Sequence, residues 1–179
     1  MIKQASAAIL VCAFCFSAAL LAQAPPMPKP APELKKLDYF VGTWKLEGDM
    51  KASPMGPGGK FTGAEHNQWM EGGFFLVGHS DFNGAGMGTG KGLAIMGFDS
   101  DRKMYTYQEY SSLGEADASL GSVDGDTWTW SNEQKMGGQI MKGRFSIKQL
   151  SATSYAFKFE MAPPGGDMVT VMEGKATKQ

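Results

Sequence analysis

The chain reads as an all-β protein, an antiparallel up-and-down barrel of about ten strands behind one short N-terminal helix. Three observations predict this. Apolar and polar residues alternate with period two over most of the chain. Turn-forming clusters separate the alternating runs. Only one stretch has helical spacing.

That stretch is Glu33 to Val41, where Leu34, Leu37 and Val41 recur at i, i+3 and i+7 after Pro32, and Gly42 is a natural stop. Alternation follows at once. Trp44, Leu46 and Met50 alternate with Lys45, Glu47 and Asp49. Phe145 and Ile147 alternate with Arg144, Ser146 and Lys148, and Tyr155, Phe157, Phe159 and Met161 with Ala156, Lys158 and Glu160. Each run gives a strand one apolar and one wet face.

Turn signals fall at Pro57-Gly58-Gly59, Gly72-Gly73, Asp99-Ser100-Asp101, Asp124-Gly125 and Pro164-Gly165-Gly166. The spacing predicts strands near 43–50, 60–70, 74–82, 91–98, 104–111, 115–122, 127–133, 139–148, 153–161 and 168–177. Closing such a meander into a barrel removes its exposed edges, and the same pattern permits a two-sheet sandwich. If Asp124-Gly125 is a two-residue loop, Trp128 opposes Gly121 and Trp130 opposes Ser119, a large-beside-small filling of a confined interior.

The start of the chain is a different kind of sequence. Lys3 precedes an apolar run from Ala7 to Leu21, and Ala22-Gln23-Ala24 has the A-x-A cleavage form. Residues 1–24 read as a secretory signal peptide, with Pro25 after the cut and cleavage after Ala22 as the fallback. The run is shorter than the roughly 20 residues that span a bilayer, so no stable membrane insertion is expected after cleavage. Residues 25–33 are proline-rich and read as an extended linker, leaving 34–179 as the folded domain. The expected location is secreted, in the periplasm.

Both cysteines, Cys12 and Cys15, lie in the signal, so the mature domain has neither disulfide nor thiolate chemistry. A formal net charge of −1 lacks the basic footprint of a nucleic-acid-binding protein.

A helix followed by Gly42-x-Trp44 at the first of many antiparallel strands resembles the calycin superfamily, which includes lipocalins and fatty-acid-binding proteins. The resemblance implies that Trp44 seals one barrel end against the helix, with Leu37 or Phe40 as the packing surface. "LDYFVGTW", "GGFFLVGH" and "GLAIMGFDSDRKMYTY", in that order, are similar to an uncharacterised bacterial family, domain of unknown function 1579, over roughly residues 33–177. That family implies a lipocalin-like barrel and no established activity. A haem-binding relative of the calycins uses a histidine late in its chain; none follows His79 here, and no cofactor is expected.

The two histidines flank Gly72-Gly73, and a symmetric loop there pairs His66 with His79 across strands, about 5 Å apart at Cβ. Their face carries Gln68, Met70, Phe75 and Val77; the opposite, more apolar face carries Trp69, Phe74, Leu76 and Phe82. The histidines therefore belong outside; turned inward, they would line a cavity as polar anchors. No third histidine or cysteine completes a zinc site, so no metal is expected. The 13 methionines form no tight copper-binding array and read as pliable liners.

Gly84 to Gly92, "GAGMGTGKG", fits neither a Walker loop nor a G-x-G-x-x-G register and reads as a mobile loop at a barrel mouth. Ser80 and Asp81 adjoin His79, but strand neighbours point to opposite faces, so no triad follows and no catalytic residue is assigned. Glu115 and Asp117 share a face and read as solvated. Tyr105 and Tyr107 lie opposite Tyr110 on one strand, so one set is exposed.

The expected function is binding of a small hydrophobic or amphipathic molecule inside the barrel, lined by Trp69, Trp128, Trp130, Phe157 and Phe159, with His66 and His79 as polar anchors if inward. The alternatives are a small cavity isomerase or hydrolase using His66 or His79, and a filled barrel acting as an envelope interaction module.

Overall fold

A computed structural model describes residues 27–52, 57–85 and 88–179. The signal segment lies outside the described residues. A 3₁₀ helix spans Pro32–Phe40. Ten strands follow: β1 (Gly42–Met50), β2 (Gly59–Trp69), β3 (Leu76–Gly84), β4 (Gly88–Asp99), β5 (Met104–Ser111), β6 (Ala116–Asp124), β7 (Thr127–Met136), β8 (Gln139–Ser151), β9 (Ser154–Ala162) and β10 (Val169–Lys178). Every strand pairs antiparallel with its sequence neighbours, and β10 returns to β1, so the sheet is a closed barrel. Closure leaves no edge strand and rules out the sandwich.

The helix differs in kind from the α-type spacing in the sequence. Its buried residues are Leu34, Leu37 and Phe40, at i, i+3 and i+6. Three residues per turn stack those positions on one edge, which a 3₁₀ helix does and an α-helix does not. Val41 is already extended, and Gly42 at φ +108° re-aims the chain into β1. A side chain there would be strained, and its Cβ would meet Lys178 Cε at 3.0 Å.

The helix plugs one end of the barrel, and several strands latch it. Phe40 O accepts from Trp44 Nε1 at 2.8 Å and from Asn67 Nδ2 at 3.1 Å. Trp69 Nε1 donates to Asp38 Oδ1 at 2.8 Å, and Tyr105 Oη donates to Glu33 O at 2.9 Å. Tyr39 Oη lies 2.9 Å from the carbonyl oxygens of Ser151 and Ser154. The bonds to Phe40 O and Glu33 O give backbone oxygens of the helix the partners they need, and the others tie its side chains to the strands.

Aromatic rings fill the floor above the plug. Trp44 packs against Tyr155 at 4.9 Å, Phe40 against Trp128 at 5.3 Å, and Tyr105 against Trp128 at 4.7 Å, with Trp44 fully buried. Rings at these distances and tilts add attraction beyond the burial of their area.

Two turns shift from their expected positions. The β6–β7 loop is Gly125-Asp126, so Trp128 opposes Val123 and Trp130 opposes Gly121. The shift is by two residues, so both tryptophans keep the inward face. Large still lies beside small, with Trp130 as the large partner: a Cβ on Gly121 would sit 2.6 Å from its ring. "GAGMGTGKG" is also mostly strand rather than loop. Gly84 ends β3 and Gly88 to Gly92 open β4, with Gly90 beneath Phe82 and Gly92 beneath Ser80.

The outer wall is charged. Lys45–Glu47, Lys60–Asp49 and Arg144–Glu160 pair at 2.8 Å. The first two are exposed and contribute little stability each, whereas Glu160 of the third is buried. The exposed pairs mark the outer surface of β1 and β2 as water-facing.

Candidate functional site

Above the floor, the inward positions divide into two arcs. Strands β8, β9, β10 and β1 supply Met141, Phe145, Phe159, Phe157, Met172 and Leu46. Phe145 lies 6.1 Å from Phe157 and 6.5 Å from Phe159, and Phe157 also meets Phe61 of β2 at 6.4 Å. This is an apolar wall.

Strands β2 to β7 supply the opposite arc, where Glu65, Ser80, Tyr107, Glu109, Asp117, Asn132 and Gln134 turn inward alongside Phe61, Phe82, Met96 and Trp130, with Gly63, Gly78, Gly92 and Ala94 between them. The glycines make room for the polar groups. Asn67 Oδ1 occupies the Cβ space of Gly78, and Asn132 Oδ1 that of Gly143. Ser80 Oγ and Glu109 Oε1 converge over Gly92, at 2.4 and 3.5 Å from where its Cβ would be. Tyr107 Oη donates to Glu109 Oε2 at 3.0 Å. Asp117 Oδ1 accepts from Asn132 and, at 2.7 Å, from Gln134.

Glu65 sits one layer above the floor, between Trp44 of β1 and Ser80 of β3. Burial pushes its carboxyl up to about 7; the Asn67 amide opposes that rise, and the Glu109 charge adds to it. Glu109 is raised as well, chiefly by burial, against the lowering effect of the Tyr107 hydroxyl. Tyr107 and Tyr155 are held well above the usual phenol range, again mainly by burial, and stay protonated.

The structure separates the residues expected to line a ligand site. Trp69 and Trp128 belong to the floor, Trp69 through its bond to Asp38 and Trp128 at 1 % exposure. Trp130 stacks on Trp128 at 5.4 Å, one layer up, and Phe157 and Phe159 stand in the apolar wall. His66 and His79 do pair across β2 and β3, but both are exposed on the outer face, where Thr43 Oγ1 lies 3.1 Å from His66 Nδ1. They cannot line the lumen as polar anchors, because strand alternation puts Glu65, Asn67, Gly78 and Ser80 there instead.

Asp117, expected beside Glu115 in solvent, faces inward, while Glu115 precedes β6 in the turn and is exposed. Tyr105 and Tyr107 face in and Tyr110 is exposed. Glu65 and Glu109 are absent from the expected set. The available signal was parity, since Glu65 shares the face of Trp69 and Glu109 that of Tyr107. Among the described residues, no group of three or more histidine, cysteine, aspartate or glutamate side chains is placed to hold a metal ion.

Fold and site together define a lipocalin-like barrel, plugged by its helix at one end, with polar and aromatic side chains turned inward above the plug. The family model described as "Protein of unknown function (DUF1579)" matches residues 29–178, and the chain belongs to that family. The crystal structure of Rv2717c from M. tuberculosis is similar in fold, with a TM-score of 0.58 at 14% identity, covering 84% of this chain and 99% of that one. No curated protein matches the chain.

Proposed function

We propose that the protein is a secreted, periplasmic carrier that binds a small amphipathic molecule in the upper lumen of its barrel. One observation carries this reading: inward side chains deep in the barrel are incompletely covered. Glu65, Ser80, Ala94, Tyr107, Phe145 and Phe159 all retain accessible surface, whereas Trp44, Leu76, Trp128 and Tyr155 in the floor are buried. A barrel filled by its own side chains, as an interaction module would be, buries both layers. The lumen is apolar on one arc and polar on the other, which suits a guest with a tail and a head.

The enzyme alternative required a histidine in the cavity, and both histidines are outside. Native mass spectrometry of protein purified from its own compartment tests the carrier reading. The expected result is a non-covalent adduct that leaves on mild activation. A clean apo mass, joined to no thermal shift across a panel of amphiphiles, would overturn it.

A further inference from the structure

We propose that His66 and His79 form a surface site on the outer wall of the barrel for a divalent transition-metal ion of the Cu2+, Ni2+ or Zn2+ class. The site is separate from the lumen, because it lies on the opposite face of β2 and β3.

Strand register brings the two rings together. His66 pairs directly with His79, and both are exposed. In the same ladder Met70 N donates to Phe75 O, and Ala85 N donates to Lys60 O. Alternation from those two pairs makes His66–His79 a hydrogen-bonded pair, with Cα atoms about 5.5 Å apart and both side chains on one face. Metal–imidazole bonds of about 2.0–2.1 Å put two neighbouring nitrogens on one ion about 3 Å apart. Side chains rooted about 5 Å apart at Cβ can converge that far by rotation about their own bonds.

A second observation concerns the ring nitrogens. Thr43 lies opposite His66 on β1, with its Oγ1 3.1 Å from His66 Nδ1. A histidine that ligates through Nε2 keeps its proton on Nδ1, and an acceptor for that proton orients the ring. The Thr43 hydroxyl is such an acceptor, and this contact leaves the Nε2 lone pair free for an ion.

The surroundings admit a cation. The ammonium groups that border the pair are engaged, Lys91 with Asp81 and Lys45 with Glu47. Thr43, Ala64, Gln68, Val77 and Leu93 fill the adjoining outward positions, and none carries a charge. Imidazole suits copper, nickel and zinc, whereas magnesium and calcium take oxygen ligands. The pair falls short of a closed four-ligand zinc site and leaves the remaining positions to water.

The test titrates untagged protein at neutral pH with CuCl2 and, separately, with MgCl2 in a weakly coordinating buffer. Calorimetry gives stoichiometry and affinity, and electron paramagnetic resonance counts the nitrogen donors on copper. A single Cu2+ held by a pair of nitrogens is expected. His66→Ala and His79→Ala should each weaken that binding about a hundredfold, because a second pre-positioned ligand typically gains that much. Both side chains are exposed, so both variants should melt close to wild type without metal.

Wild-type protein that binds Cu2+ no more tightly than either variant overturns the site, because the copper then sits elsewhere on the chain. An affinity for Mg2+ that matches the affinity for Cu2+ overturns it too, because carboxylates rather than imidazoles then hold the ion.

Discussion

The two ends of the barrel solve opposite problems with the same alternation. At the floor, inward positions hold Trp44, Leu76, Tyr105, Trp128 and Tyr155, and the helix adds Leu37 and Phe40, all buried. The polar atoms there are mostly closed by bonds to the helix backbone. Higher in the barrel, Glu65, Ser80, Ala94 and Glu109 turn inward and keep accessible surface, beside Leu46, Trp130 and Phe157, which are buried. The floor is thus where stability resides and the lumen is where stability is given up. Sites that bind ligands commonly carry such unfavourable local arrangements.

The largest expected effect is at the floor. Trp44→Ala removes a fully buried ring and the bond to Phe40 O, and should cost about 3–5 kcal/mol in denaturant unfolding. A cost below about 1 kcal/mol would mean that the helix does not depend on Trp44, and the floor–lumen contrast would fail.

The next effect has the opposite sign and belongs to the lumen. The folded-state carboxyl of Glu65 titrates at about 7 against an ordinary 4.5. A raised acid favours the fold fully below 4.5, and that contribution is lost as pH rises through about 7. Above that window the ionised group holds the fold down by about 3 kcal/mol relative to its protonated form. Glu65→Gln should therefore raise stability at pH 8, with the gap to wild type closing towards pH 4. The difference between the two pH profiles isolates this group from outer carboxylates such as Glu160, whose carboxyl is lowered chiefly by Lys158 and then by Arg144. A variant less stable than wild type at pH 8 would show that Glu65 is paired rather than desolvated.

Gly121→Ala tests the fit between the two layers. The new Cβ would meet Trp130 at 2.6 Å, and the ring must shift, at about 1–3 kcal/mol. A change in tryptophan fluorescence should accompany the loss of stability, and an unchanged melting curve would contradict the packing. The smallest effect is expected outside the barrel. His79→Ala removes an exposed side chain and should change stability by no more than about 0.5 kcal/mol. It should also leave amphiphile binding unaltered, and weakened binding would return the histidines to the site.

Most of the fold was legible because closure repeats one local rule. Period-two alternation marked all ten strands, and β5 falls on residues 104–111 as the pattern predicts. The His66–His79 pairing was legible too, since symmetric placement about the hairpin determines it. The errors have local causes. Leu34, Leu37 and Phe40 fit a three-residue period that a search for α-helical spacing passes over. The Gly88 to Gly92 run looks like a loop because glycine disfavours strands in isolation. The barrel uses those glycines because Phe82 and Ser80 need the space above them.

The site was much less legible. Glu65 and Glu109 look like surface residues in the sequence, since glutamate is rarely buried without a partner. Only the register of a closed barrel brings them to one arc with Asp117, from strands far apart in the chain. The sequence by itself determined the container: its strand count, its Trp44 seal and the outward face of the two histidines. The tertiary structure alone decided that Glu65, Glu109 and Asp117 meet inside the barrel among aromatic rings. Alternation is a property of neighbouring residues, whereas the meeting of charges across a lumen depends on how ten strands close.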